Sequence, residues 1–199
     1  MPENSGNITE DKEKIVFRGK TELITKIIVI GDPAVGKTSL LTTFTSNKFE
    51  KKYLPTVGVN IVKEPIEVED RNGEKAMVNI MFWDIAGQPQ FYMLHQPYFK
   101  GADGIVLVFD VTRSSSFSNV KNWYNTAIKY GLSGIPKVLV GNKIDLDKKR
   151  KIIVPMIKHL ADELNCPYFE TSALSGKNVK LLFETLAKML LEFKQRRKK

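Results

Sequence analysis

The chain has 199 residues and a net charge of +9, with 42% hydrophobic and 27% charged residues, ordinary proportions for a globular protein. No apolar run approaches the ~20 residues of a membrane span, and the single cysteine, Cys166, excludes an internal disulfide and fits a reducing, cytoplasmic setting. Positive charge concentrates in Lys194, Arg196, Arg197, Lys198 and Lys199, and again in Lys148, Lys149, Arg150 and Lys151. Such runs are first of all solvated faces, and only then sites for an anionic membrane or a nucleic acid.

In chain order, residues 1–20 are polar, lack the basic start and apolar stretch of a signal peptide, and are expected to form a mobile extension. Within them Ile15, Val16 and Phe17 are able to add a short strand. Residues 23–30 are mostly apolar and β-branched, the pattern of a buried parallel strand. They run straight into Gly31, Asp32, Pro33, Ala34, Val35, Gly36, Lys37 and Thr38, a Gly-x-x-x-x-Gly-Lys-Thr loop. A helix over residues 37–44 follows, with Ser39 in its first turn. Strand, glycine loop and helix start in that order are the setting of a phosphate-binding P-loop. Gly31 and Gly36 let the backbone wrap so that successive N–H groups point at a polyphosphate. Lys37 offers a cation to the β- and γ-phosphates, and the Thr38 hydroxyl can ligate Mg²⁺.

Residues 61–68 and 75–83 have strand character and meet at Asp70, Arg71, Asn72 and Gly73, where Asn-Gly signals a hairpin. Residues 105–111, 137–140 and 167–170 are further short strands. Phe117, Val120, Tyr124 and Ile128 form one helical stripe. Val179, Leu182, Phe183, Leu186 and Leu190 form another, which ends in the basic tail, and Pro155 suits the first turn of a helix reaching about residue 164. Alternating strands and helices with one early hairpin predict a three-layer α/β sandwich, mostly parallel, with one antiparallel edge pair. Ligands of such sheets bind beyond the carboxyl ends of the strands.

The remaining motifs fall at those ends. Asn142, Lys143, Ile144 and Asp145 follow one strand. Guanine presents N1–H and a 2-amino group on one edge, two donors that a carboxylate can accept together and that adenine lacks. Asp145 is therefore the expected base reader, with the Lys143 stem against the base plane. Ser172, Ala173 and Leu174 follow the next strand, where a backbone N–H can serve guanine O6. Asp84, Ile85, Ala86, Gly87 and Gln88 follow a third strand. There Asp84 can hold Mg²⁺ through water, the Gly87 N–H can approach a γ-phosphate, and Gln88 can orient an attacking water. Thr56 is a second candidate hydroxyl ligand of Mg²⁺.

These stretches, in this order over about residues 22–193, resemble the small Ras-like GTPases, and the Rab branch most closely. Further similarity lies in Asn47, Lys48 and Phe49, in residues 53–59, in Trp83 and Asp84, and in residues 98–103. The resemblance implies a P-loop NTPase G domain over residues 21–193, with a six-stranded sheet, followed by a basic tail over residues 194–199. It implies a GTP/GDP switch that recruits effectors, in membrane trafficking, with slow hydrolysis of GTP and Lys37 and Gln88 as catalytic residues. The nucleotide site would comprise residues 32–39, Phe49 packed on the guanine, Tyr53, Thr56, Gly87, Asn142, Lys143, Asp145 and residues 172–174. Mg²⁺ would be held by Thr38, Thr56 and Asp84. Ile61, Trp83 and Tyr98 match an effector-facing apolar cluster, with Ile61 replacing a usual Phe. Partner proteins are expected to include an exchange factor and an activating protein that supplies an arginine in trans, on a monomeric chain.

Three departures set this chain apart. Pro33 stands where Ras has Gly and Rabs often have Ser, removing one N–H and fixing φ. Pro89 stands where the family commonly has Glu and restricts Gln88. The sequence ends in Gln195, Arg196, Arg197, Lys198 and Lys199 without a cysteine, so the expectation is a cytoplasmic protein with weak electrostatic contact to anionic membrane rather than a prenyl anchor. Pro33 and Pro89 leave open a GTP-binding scaffold with little hydrolysis. Nucleic acid is not an expected partner, because the tail lacks interleaved aromatic residues.

Overall fold

The computed structural model describes residues 16–17, 20–46, 55–70, 73–87 and 95–197. The described strands are β1 (Val16–Phe17), β2 (Lys20–Ile30), β3 (Val59–Glu69), β4 (Lys75–Ile85), β5 (Gly104–Asp110), β6 (Lys137–Asn142) and β7 (Tyr168–Glu170). The helices are α1 (Lys37–Ser46), α2 (His95–Phe99), α3 (Ser114–Ser118), α4 (Val120–Lys129), α5 (Val154–Leu164) and α6 (Val179–Arg197), with a 3₁₀ turn at Ile144–Lys149.

Six strands lie in the order β3-β4-β2-β5-β6-β7. All neighbours are parallel except β3 and β4. The two-residue β1 adds an antiparallel pair to the start of β2. The hairpin between β3 and β4 closes where the Gly73 N–H donates to the Asp70 carbonyl at 3.1 Å.

Period-two alternation sends neighbouring residues of each central strand into opposite layers. Ile27 and Val29 of β2, with Val106 and Val108 of β5, join the core beneath α1 and α6. Ile28 and Ile30, with Ile105, Leu107 and Phe109, join the core beneath α2, α4 and α5. Strands covered on both faces read as continuous apolar runs for this reason.

Two helices differ from their sequence reading. The stripe expected through Phe117, Val120, Tyr124 and Ile128 is broken at Asn119, which ends α3 and caps α4, and the buried residues of α4 are Val120, Trp123 and Ala127. The break rotates α4 so that Trp123 faces inward, and its indole reaches the glycine loop. The last helix continues to Arg197, through four residues of the expected tail. There Lys194 pairs with Asp103 at 2.9 Å, and Arg196 faces Glu192 at 3.7 Å. These contacts tie the turn to the body and along its own helix, as i,i+4 pairs do.

Candidate functional site

The glycine loop leaves β2 at the carboxyl edge of the sheet and enters α1 at Lys37. Lys37 is 6% exposed. Its ammonium donates to the carbonyls of Gly31 at 2.8 Å and Asp32 at 3.0 Å, so it curls back beneath the loop. Burial lowers its pKa to about 8, against the pull of Asp84 and Asp32. A polyphosphate would restore the charge that burial disfavours.

Thr38, Thr56 and Asp84 meet beside it. The Thr38 hydroxyl donates to Asp84 Oδ2 at 2.5 Å. Its single proton being spent there, the Thr56 hydroxyl donates to Thr38 Oγ1 at 2.9 Å. Asp84 is completely buried, and its Oδ1 lacks a hydrogen-bond partner among the described residues. Desolvation raises its pKa despite the Thr38 bond and the Lys37 charge. Two hydroxyls and a buried carboxylate with an orphaned oxygen fit a hard divalent cation that completes its shell with water and phosphate. Gly87 lies against the loop, where a Cβ would stand 2.4 Å from the Gly31 carbonyl oxygen and 2.7 Å from Pro33 N. Only glycine permits that approach.

The residues expected to read the base cluster beyond β6 and β7. Asn142 is buried and donates to the Val35 carbonyl at 2.9 Å, while its Oδ1 accepts from the Thr171 hydroxyl and the Ala173 N–H, both at 3.2 Å. One amide thus joins the glycine loop to the loop after β7. Lys143 adopts a left-handed backbone, φ 70°. Its ammonium bonds the Ala34 carbonyl at 2.6 Å and the Asp110 carboxylate at 2.7 Å. The exposed Asp145 accepts from the Ser172 hydroxyl at 2.6 Å. Ser172 and Ala173 are buried, whereas Leu174 is exposed.

Apart from this cluster, Ile61 pairs with Trp83 across the β3–β4 ladder, and Tyr98 lies 6.1 Å from Trp83 between ring centroids. Phe49, Tyr53, Gln88 and Pro89 lie outside the described residues.

The structure adds polar residues absent from the motif reading. Asp110 orients Lys143, and its carboxylate is also held by the Thr112 N–H and hydroxyl at 2.8 and 2.7 Å. Asp32 Oδ1 accepts from Asn119 Nδ2 at 2.5 Å and Trp123 Nε1 at 2.9 Å. Arg113 Nη2 donates to the Pro33 carbonyl at 2.6 Å. Asp110 was detectable as a carboxylate ending an otherwise apolar strand. For Asn119 and Trp123 only their i,i+4 spacing hinted at a shared target.

A sequence profile of the Ras family matches residues 26–192. The chain belongs to the Ras family. It is 37% identical over 167 residues to the GTP-binding protein ypt1 of Schizosaccharomyces pombe, covering 84% of this chain and 80% of that protein. It is 38% identical over 166 residues to the Ras-related protein Rab-1 of Theileria annulata, covering 83% and 73%. It is 36% identical over 166 residues to the Ras-related protein Rab-13 of Mesocricetus auratus, covering 83% and 79%. These relatives put this Ras-family chain near the Rab branch. It is a GTP-binding switch that hydrolyses GTP to GDP, in a family that generally uses Mg²⁺ and works with effector, exchange and activating proteins. Among the described residues no helix is long and apolar enough to cross a membrane.

Proposed function

We propose that this GTPase reads guanine with Asp145 and senses the γ-phosphate through Thr56 and Gly87, serving as a switch in membrane trafficking. The observation that carries the reading is the convergence of Lys37, Thr38, Thr56 and Asp84 on one end of the glycine loop. Lys37 would turn from its two carbonyl partners toward the β- and γ-phosphates. Thr38 and Thr56 would hold Mg²⁺ directly, and Asp84 through water. The metal, when bound, neutralises charge on the phosphate oxygens. Gln88 would orient the attacking water, and Phe49 and Tyr53 would border the nucleotide. Asn142 and Lys143 support the base loop from below, and the backbone of residues 172–174 would offer an N–H to guanine O6.

The test is base exchange. Asp145→Asn replaces an acceptor pair with an amide whose own donor opposes guanine's 2-amino group but matches the carbonyl of xanthine. The variant should lose GTP affinity by ~1–3 kcal/mol, the cost of an unsatisfied polar group, and gain affinity for XTP. Competition binding with GTP, XTP and ATP reads both changes, and an unaltered preference for GTP refutes the base-reading role.

We further infer a monomer that contacts anionic membrane weakly through its basic end. Lys194 is paired with Asp103, and the contact is carried by Arg196, Arg197, Lys198 and Lys199, at ~1 kcal/mol each near such a surface. Neutralising all four should abolish low-salt binding to phosphatidylserine vesicles and leave nucleotide binding intact.

A further inference from the structure

We propose that Arg113, from the turn between β5 and α3, reaches the γ-phosphate from within the chain and stabilises the transition state of GTP hydrolysis. The inference rests on the GTPase reading and adds to it a residue outside the glycine loop and its metal cluster.

Four observations carry it. Arg113 Nη2 donates to the carbonyl of Pro33 at 2.6 Å, which puts the guanidinium on the rim of the glycine loop. Its Nε is buried and lacks a hydrogen-bond partner among the described residues. No carboxylate there forms an ion pair with it, although Asp32 is only one residue from its anchoring carbonyl. Asp32 is instead committed to Asn119 and Trp123. Finally, Lys37 holds the carbonyls of Gly31 and Asp32, Arg113 holds that of Pro33, and Gly87 packs against all three residues. A guanidinium anchored on this loop, with a buried N–H and no carboxylate paired to it, calls for an anion. The ligand of this loop supplies it.

Pro33 gives the arrangement a chemical logic. Proline lacks the N–H that another residue would turn toward the phosphate, and the guanidinium brings further N–H donors beside the one held by the Pro33 carbonyl. During hydrolysis the water oxygen forms a bond to the γ-phosphorus as the bond to the β,γ-bridging oxygen breaks. The electron pair of that bond leaves with GDP, and both water hydrogens end on inorganic phosphate. Arg113 gains and loses no proton. It neutralises charge gathering on the bridging and γ-oxygens, the role of an arginine supplied in trans to related enzymes, where it accelerates hydrolysis by about 10³–10⁵-fold.

The experiment is single-turnover GTP hydrolysis by the full chain without any partner protein, using wild type, Arg113→Ala and Arg113→Lys. GDP affinity and thermal unfolding are measured alongside, with formation of the GDP–aluminium fluoride complex. The expected result is a ~10–100-fold slower rate for Arg113→Ala, below the full effect of an inserted arginine, with GDP affinity unchanged. The wild type alone should trap GDP–aluminium fluoride and the alanine variant should not. Millimolar guanidinium should partly restore the alanine variant's rate, since it returns the missing group without repairing a fold. Equal rates in wild type and Arg113→Ala overturn the proposal. So does a rate loss matched by lost GDP affinity or stability and unrescued by guanidinium, which would make Arg113 a strap on the loop. A wild type that hydrolyses no GTP would instead overturn the GTPase reading itself.

Discussion

The β5–β6 half of the sheet and the β3–β4 edge hold the residues proposed to bind nucleotide by different physical means. Every residue of β5 is buried, and so is β6 beyond Lys137, whereas β3 alternates exposed and half-buried positions along most of its length. On the buried side the proposed base readers are braced by the protein itself: Asn142 makes three bonds, Lys143 two, and Asp145 is held by Ser172. On the edge, Thr56 touches the cluster through its bond to Thr38, and its neighbour Val57 is 77% exposed. A base must be read the same way in both nucleotide states, so its readers gain from a rigid frame. A γ-phosphate is present in only one state, so its sensors must be able to let go.

Gly31→Ala strikes the shared root of both regions. With φ at +146° and a built Cβ only 2.1 Å from the Val108 carbonyl, the change forces β2 away from β5. We expect a loss above ~4 kcal/mol, read as a collapse of the urea unfolding midpoint with or without nucleotide. A mild loss would mean that the buried half yields more than its packing implies.

Asn142→Ala tests the brace alone. It strands the Val35 carbonyl, the Thr171 hydroxyl and the Ala173 N–H in a buried setting, at ~1–3 kcal/mol for a stranded group. GDP and GTP affinity should fall together by a similar factor in equilibrium titration. Selective loss of GTP alone would contradict the division of labour.

Thr56→Ala should do the reverse. Removing one hydroxyl bond costs ~1 kcal/mol and should weaken GTP binding while leaving GDP binding nearly unchanged. Comparable losses for both nucleotides would show that this segment is fixed in both states.

The smallest effect concerns Cys166, packed against the core of the buried half. Burial pushes its thiol up to about 11, with the Lys137 charge and a backbone bond near Leu139 offsetting only part of it. The folded thiol keeps its proton where the unfolded one has lost it, so its contribution to stability is complete below the ordinary thiol range and disappears as pH rises through about 11. Iodoacetamide should label native protein slowly near neutral pH, with the rate rising about tenfold per pH unit in alkali. Rapid labelling at neutral pH would mean that this side of the core opens readily.

Much of the candidate site's arrangement was legible because its parts are local. A left-turning glycine, a lysine at a helix start and a carboxylate after a strand each follow from backbone sterics within a few residues. Strand periodicity then brings the loops to one edge of the sheet. The helix over residues 117–128 was less legible. Phe117 and Tyr124 do pack on the core, but the stripe could not reveal that Asn119 interrupts it and turns Trp123 inward.

The sequence by itself determined the order of strands, loops and helices, the phosphate loop and the residue types at each strand end, because these depend on short-range geometry. Only the tertiary structure decided that Trp123, 91 residues from Asp32, would hold that carboxylate, and that Arg113, 80 residues from Pro33, would reach its carbonyl. Those pairings depend on how α3 and α4 seat on β5, which side-chain volumes in the shared core decide and no single segment encodes.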